Sequence, residues 1–154
     1  MKEWSNAEWH TLQLGPVWVA SALLGRSHFD ELEQEAFWRA VEDAPVGDSP
    51  VAWQLMQSVT RHRDWLLDEF ALDDRSIISG LSEVTSLLER VPADVSRETR
   101  EAILRVGSGL ARARGPFGRR ITDYDAQTLE LVAQLLESAA ETAANNPLNS
   151  HVAL

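Results

Sequence analysis

Four arginines surround the Gly-Pro-Phe-Gly stretch near the C-terminal end of the sequence, and they are the first candidates for binding chemistry. They are Arg112, Arg114, Arg119 and Arg120. A guanidinium group can hold a carboxylate or a phosphate through two parallel hydrogen bonds, so this cluster predicts a clamp for an acidic partner or a phosphate group. Arg112 and Arg114 have a second explanation, because basic side chains also complement the negative C-terminal end of a helix.

Carboxylates at two predicted helix starts are candidates for a divalent metal site. They are Asp30, Glu33, Asp123 and Asp125. A hard cation needs several oxygens that converge on one point, whereas residues at a helix start are distributed around its axis. The favoured interpretation is therefore a helix cap with favourable charges and no metal, and a divalent-metal-binding domain is the alternative.

Tryptophan is frequent, with six residues in a chain of 154. Most of them fit a partly buried core, as is usual for this side chain. Trp4 and Trp38 are the best candidates for an exposed binding patch, and a partly buried core position is the alternative that tryptophan more often takes. Trp38 is accordingly a further candidate for contact with a protein partner.

Motifs of known catalytic sites are missing from the sequence. His62-Arg63-Asp64 spells the tripeptide of the kinase catalytic loop, but no asparagine follows at the required offset and no glycine-rich loop precedes it. Neither a Glu-x-x-His pair nor a Gly-x-Ser-x-Gly motif is found. We therefore expect a protein without catalytic activity or cofactor, and a helical enzyme of an unrecognised class is a further alternative.

The charge balance restricts the class of partner. The chain has 14 basic and 24 acidic residues, which give a net charge of -10. Such a chain is unsuited to general binding of a nucleic-acid backbone or an anionic membrane. The absence of cysteine excludes disulfides and suits a reducing compartment, so a cytoplasmic location is expected. The most apolar run, residues 14–25, is shorter than the roughly 20 residues that span a bilayer.

Helical periodicity and capping residues predict an all-α, compact single-domain bundle of about six helices over residues 1–144, followed by a frayed tail over residues 145–154. The first helix should be central, because its second half is apolar nearly all round, and Pro16 should kink or restart it. The predicted helices cover residues 6–24, 31–44, 50–70, 74–91, 97–114 and 123–143, with caps at Ser5, Asp30, Ser49, Asp73 or Asp74, Ser96 and Thr122.

Two helix pairs share one pattern. Helices one and two match helices five and six in their caps and apolar positions, which predicts a pseudo-repeat that flanks a central pair. Each pair has a helix rich in small residues, a turn with glycine, a short hydrophobic entry and a capped helix with an acid near its start. The segments are VASALLGRSHFDELEQEAF and VGSGLARARGPFGRRITDYDAQTLELVAQLL.

These segments resemble the TerB-like family of compact all-helical domains, named for bacterial tellurite resistance. The resemblance implies a non-catalytic interaction or stress-response module of the bacterial cytoplasm. The expected partner is a protein with an acidic surface, and a homo-oligomer is left open. Some family members carry acidic residues in the turn that are associated with metal ions, whereas this chain has Leu24-Gly25 and Arg114-Gly115 there.

Overall fold

The computed structural model of the protein describes residues 4–45, 47–114 and 121–137. All regular structure in these ranges is helical, so the all-α prediction is confirmed. Seven helices are present there instead of the six expected, and the pseudo-repeat stays a prediction. The helices are α1 (Asn6–Leu24), α2 (Glu31–Asp43), α3 (Pro50–Arg61), α4 (Leu66–Leu72), α5 (Ile77–Leu88), α6 (Ala93–Arg114) and α7 (Asp123–Leu136).

Local capping fixes both ends of α1. The Ser5 hydroxyl oxygen accepts a hydrogen bond from the Glu8 N–H at 3.1 Å, and the Glu8 carboxylate accepts from the Ser5 N–H at 2.9 Å. At the other end, Gly25 adopts the left-handed conformation with φ of 70° and donates its N–H to the Ser21 carbonyl oxygen. These are the predicted start and stop signals of this helix.

α1 is the central helix of the structure, as predicted. All residues from Thr11 to Ser21 are buried, and the helix contacts α3, α4, α5, α6 and α7. It runs through Pro16 as one helix, so of the two expected effects, a kink or a restart, the restart does not occur. None of the helices in the described ranges is long and apolar enough to cross a membrane.

Glycines allow two neighbouring helices to approach α1 closely. A Cβ atom added to Gly80 of α5 would lie 2.3 Å from the Trp18 ring, and one added to Gly107 of α6 would lie 2.7 Å from the Val19 side chain. Both distances are far below van der Waals contact. The missing side chains therefore create the space that the buried face of α1 occupies.

The third predicted helix, residues 50–70, is in fact two helices. α3 ends at Arg61 and α4 begins at Leu66, with a turn between them. The apolar stripe of α3 continues to Val59, but the next positions on that face are the polar residues His62 and Arg63. The chain turns there, and Trp65, expected in the core, is 43% exposed.

Other predicted boundaries are also wrong, among them the end of the predicted helix 74–91, which lies at Leu88. α5 is capped by Ser76, whose hydroxyl accepts from the Ser79 N–H, because the Asp73 carboxylate is bound to Arg75. α6 begins at Ala93 because Pro92, which lacks an N–H, suits a helix start, and its carbonyl oxygen accepts from the Ser96 N–H. α7 ends at Leu136 because Glu137 is extended; residues 138–154, which include the predicted tail, lie outside the described part of the chain.

Replacing Gly80 with alanine should destabilise the protein by about 1–3 kcal/mol, because the new methyl group overlaps the ring of Trp18. Gly15→Ala is the matched control. Its Cβ would meet the flexible end of the Ile103 side chain at 3.4 Å, and alanine is favoured over glycine within a helix. Urea unfolding followed by circular dichroism measures both variants, and equal midpoints would contradict this packing.

The start of α1 is tied to the end of α5 by an ion pair. The Arg90 guanidinium lies 2.8 Å from the Glu8 carboxylate, and its hydrogen bond is the main reason why the pKa of Glu8 falls from 4.5 to about 2. Since the unfolded chain binds this proton more tightly, the pair stabilises the fold above about pH 4.5. That contribution is lost as the pH falls towards 2.

Glu8→Gln should therefore remove part of the pH dependence of folding while keeping an acceptor for the Ser5 N–H. Between about pH 4.5 and 2, the melting temperature of the variant should fall less steeply than that of the wild-type protein. Thermal unfolding across this pH range checks the slope. Parallel curves would show that the Glu8–Arg90 pair does not contribute to acid lability.

Candidate functional site

The candidate site lies where α2 packs antiparallel against α6. Arg105 near the middle of α6 donates from Nε to the Ala44 carbonyl oxygen, just beyond the end of α2, at 3.0 Å. One turn further along α6, a Cβ added to Gly109 would lie 3.1 Å from the Ala40 Cβ. The residue numbers rise along α6 as they fall along α2, so the two helices run in opposite directions.

A groove of about 410 Å³ follows this helix pair. Small residues of both helices form much of its lining, and charged side chains stand among them. The lining residues are Leu32, Glu35, Ala36, Arg39, Ala40, Asp43, Arg105, Ser108, Gly109, Arg112 and Ala113. Three guanidinium groups and two carboxylates therefore share the groove, which gives it a positive balance in an acidic chain.

The three guanidinium groups differ in how they are held. Arg105 is fixed by the Ala44 carbonyl oxygen at the negative end of α2. Arg39 lies 3.9 Å from the Glu35 carboxylate, with both side chains largely exposed, and such a pair contributes little. Arg112 has no ion pair or hydrogen bond with another described residue. Arg39 and Arg112 can therefore bind an external anion at low cost.

Of the four arginines that the sequence singled out, the structure places Arg112 in the groove and Arg114 elsewhere. Arg114 donates from Nη1 to the Leu23 carbonyl oxygen at 2.6 Å, and its Nε lies 3.6 Å from the Asp125 carboxylate. It thereby joins the end of α1 to the start of α7. Its structural contacts complement the negative end of α1 and not that of its own helix. Arg119 and Arg120 lie outside the described residues.

Two of the four acidic candidates, Asp30 and Glu33, cap a helix through their carboxylates. The Asp30 carboxylate accepts from the Glu33 N–H at 2.8 Å, and Glu33 accepts in return from the Asp30 N–H and pairs with Arg26. At the other helix start, Asp125 is buried and its N–H donates to the Thr122 hydroxyl, while Asp123 is exposed. Within residues 4–45, 47–114 and 121–137, no three His, Cys, Asp or Glu side chains are placed to hold a metal ion.

Both tryptophans that were candidates for a surface patch are buried. Trp4 is 6% exposed, and its Nε1 donates to the Leu87 carbonyl oxygen at 2.9 Å. Trp38 is 8% exposed and packs edge-on against Phe37. Both residues take the core alternative, and the buried face of α2 includes Trp38 beside Phe37. The indole of Trp38 thus offers little surface, and its contact with a partner stays a prediction.

Sequence reasoning missed Arg39 and Arg105 as residues of the site. A partial signal was present, since Arg105 and Arg112 are seven residues apart on one helix face, with small residues between them. Leu32 gave no signal either, because leucine is usually a core residue, yet Leu32 is 77% exposed at the groove. Only the pairing of α2 with α6 brings these residues together.

Replacing either helix cap should weaken the fold without any link to metal. Asp30→Ala and Thr122→Ala should each cost about 0.5–2 kcal/mol, because each removes the acceptor for an N–H in the first turn. The cost should be the same with magnesium, calcium, zinc or a chelator present. A metal-dependent rise in wild-type melting temperature that Asp30→Ala abolishes would favour the metal-binding alternative.

Comparison of the chain with protein-family models, with curated proteins and with solved structures gives no match.

Proposed function

We propose that the protein is a non-catalytic interaction module that binds an acidic segment of a protein partner in the groove between α2 and α6. The observation that carries this proposal is the guanidinium group of Arg112. It faces the groove without a partner among the described residues, close to the weakly paired Arg39, in a chain of net charge -10.

Charge complementarity identifies the chemistry of the partner. Carboxylates accept two parallel hydrogen bonds from guanidinium groups, and such pairs are stronger than neutral hydrogen bonds. Leu32, exposed at the groove, offers an apolar contact beside the cations. The best match is therefore a segment that alternates acidic side chains with at least one apolar side chain.

The dimensions of the groove limit the length of this segment. From Leu32 to Asp43 the lining of α2 extends over about three helical turns, or roughly 16 Å at 1.5 Å per residue. An extended peptide of about five residues or a helix of about eleven residues covers this distance. The floor of alanine and glycine allows the backbone of either to come close.

The lining favours binding over catalysis. Of the described lining residues, Ser108 carries a hydroxyl, and that hydroxyl donates to the Leu104 carbonyl oxygen. It is thus not held by a base, as a nucleophilic serine would be. The proposed role as an interaction module agrees with the resemblance to TerB-like domains, from which the proposed part in a stress response also follows.

Arg119 and Arg120 belong to the same proposal on sequence grounds. They follow Arg112 closely in the sequence and precede the start of α7, whose positive end would add to their attraction for an anion. Changing both to glutamate should weaken binding of an acidic partner. A wild-type response from this variant would confine the site to the groove.

The double variant Arg39→Glu/Arg112→Glu should lower the affinity for an acidic peptide by at least about tenfold, because each lost charge-assisted contact is worth roughly 1.5–3 kcal/mol. The probe is a fluorescein-labelled peptide of about eleven residues that contains glutamate and leucine, matched to the groove length. Fluorescence anisotropy at increasing sodium chloride measures binding. A peptide with glutamine in place of glutamate is the control ligand.

Arg61→Glu/Arg97→Glu is the matched control protein. Both residues are exposed and lie outside the groove, and the change in net charge is the same. This variant should keep most of the wild-type affinity. Equal loss in the two double variants would show that net charge determines binding and would refute the groove, as would equal binding of the glutamine peptide.

A further inference from the structure

Six residues of α6 form one stripe on the solvent side of this helix. They are spaced alternately four and three positions apart, which places them on one face of a helix. They are Asp94, Glu98, Glu101, Arg105, Ser108 and Arg112. Glu98 and Ser108 are half-buried, and the other four are exposed. The stripe therefore lies at the surface along most of the length of α6.

The charges of this stripe are divided between its two halves. Three carboxylates come first along the chain, and two guanidinium groups follow them. None of the three carboxylates has an ion pair or hydrogen bond with another described residue. Arg97 also belongs to the first half of α6, but it is turned towards α7, where it lines a cavity together with Glu130. The first half of the stripe is thus acidic, and the second half is basic.

Such a stripe is complementary to itself when a second copy of the chain is turned round. Ile103 is midway between Asp94 and Arg112, so a two-fold axis beside it would set two α6 helices antiparallel and face to face. Asp94 of each copy would then lie opposite Arg112 of the other copy, and Glu101 would lie opposite Arg105. In an interface of this symmetry each contact occurs twice.

We propose that the acidic partner of the groove is the first half of α6 in a second copy of this chain, so that the protein forms a two-fold dimer through α6. This inference rests on the function proposed above, for which it names the partner. Each copy supplies both the groove and the segment that occupies it, and the contacts close after two copies.

The start of α6 has the properties that the groove requires of its ligand. Residues 92–102 form a segment of about eleven residues, the helical length that matches the roughly 16 Å of the groove. All but the first of these residues already belong to a helix, so no ordering is needed on binding. Leu32 lines the groove together with Ala113, and the two-fold arrangement brings both towards the exposed Pro92 and Ala93 of the second copy.

The guanidinium groups of the basic half are available for these contacts. Arg112 has no ion pair or hydrogen bond with another described residue. Arg105 donates its Nε to the Ala44 carbonyl oxygen, which leaves its two terminal nitrogens for a carboxylate. The Ala44 contact also holds this side chain in the groove before a partner arrives, which lowers the entropic cost of binding.

Asp94→Arg and Arg112→Asp test the pairing at the two ends of the stripe. Each variant by itself sets like charges opposite each other at two symmetric places, so the dissociation constant of its dimer should rise by at least about tenfold. The double variant Asp94→Arg/Arg112→Asp restores opposite charges and should regain most of the wild-type stability of the dimer. Sedimentation velocity at increasing protein concentration measures the dimer, and circular dichroism confirms that each variant is folded.

A mixture of the two single variants gives a sharper test. A dimer of Asp94→Arg with Arg112→Asp has opposite charges at both ends, whereas each variant paired with itself has like charges. The mixture should therefore form a one-to-one heterodimer at concentrations at which each variant alone is monomeric, and native mass spectrometry identifies it by mass. Asp74→Arg and Arg61→Asp are the matched controls, since both residues are exposed and lie outside the stripe. They should leave the wild-type dimer unchanged.

Wild-type protein that stays monomeric over the whole concentration range would refute the dimer. A dimer that both single variants leave intact, or that neither the double variant nor the mixture restores, would also overturn the pairing. The fluorescein-labelled acidic peptide separates this inference from the function on which it rests. Binding of the peptide by a protein that does not dimerise would keep the groove as a binding site and give it another partner, whereas loss of both would remove the groove as well.

Discussion

The burial of α1 on all sides is the constraint on which the rest of the structure depends. Apolar side chains alone would leave the rotation and register of the surrounding helices poorly defined, since they pack in several ways. The buried polar side chains of α1 select one arrangement of the surrounding helices, because each of them needs a hydrogen-bond partner in a defined position. Thr11 accepts from Arg75, Gln13 bonds His62, and Ser21 donates to the Arg26 carbonyl oxygen. Each of these contacts fixes one neighbouring segment against the central helix.

The sequence predicted best what depends on residues four or fewer positions apart, although the Ser76 cap of α5 was missed. The caps at Ser5, Asp30 and Thr122 were found correctly because donor and acceptor belong to the same helix start. The break at His62 was missed, since its partner Gln13 is 49 residues away. The groove was found only in part for the same reason: Arg112 stands out in the sequence, but its juxtaposition with Arg39 requires the packing of α2 on α6.

Because the groove is positive and the chain as a whole is negative, the electrostatic force on an acidic partner depends on its distance from the groove. At distances beyond the Debye length, about 8 Å at physiological ionic strength, the net charge of -10 is largely screened. At shorter range the guanidinium groups of Arg39 and Arg112 dominate, because they lie in the groove itself. An acidic partner is thus repelled at low salt before it reaches the site. Moderate salt removes that repulsion first, and higher salt then weakens the contacts themselves.

The antiparallel pairing of α2 and α6 also makes the two ends of the groove chemically different. At one end, Arg105 is already bound to the carbonyl oxygen of Ala44 and lies near Asp43. Towards the other end, Leu32 is exposed and Arg112 is unpaired among the described residues. A linear segment therefore meets a polar, occupied end and an apolar, cationic end. The groove has a direction, so a partner and the same sequence read backwards are different ligands for it.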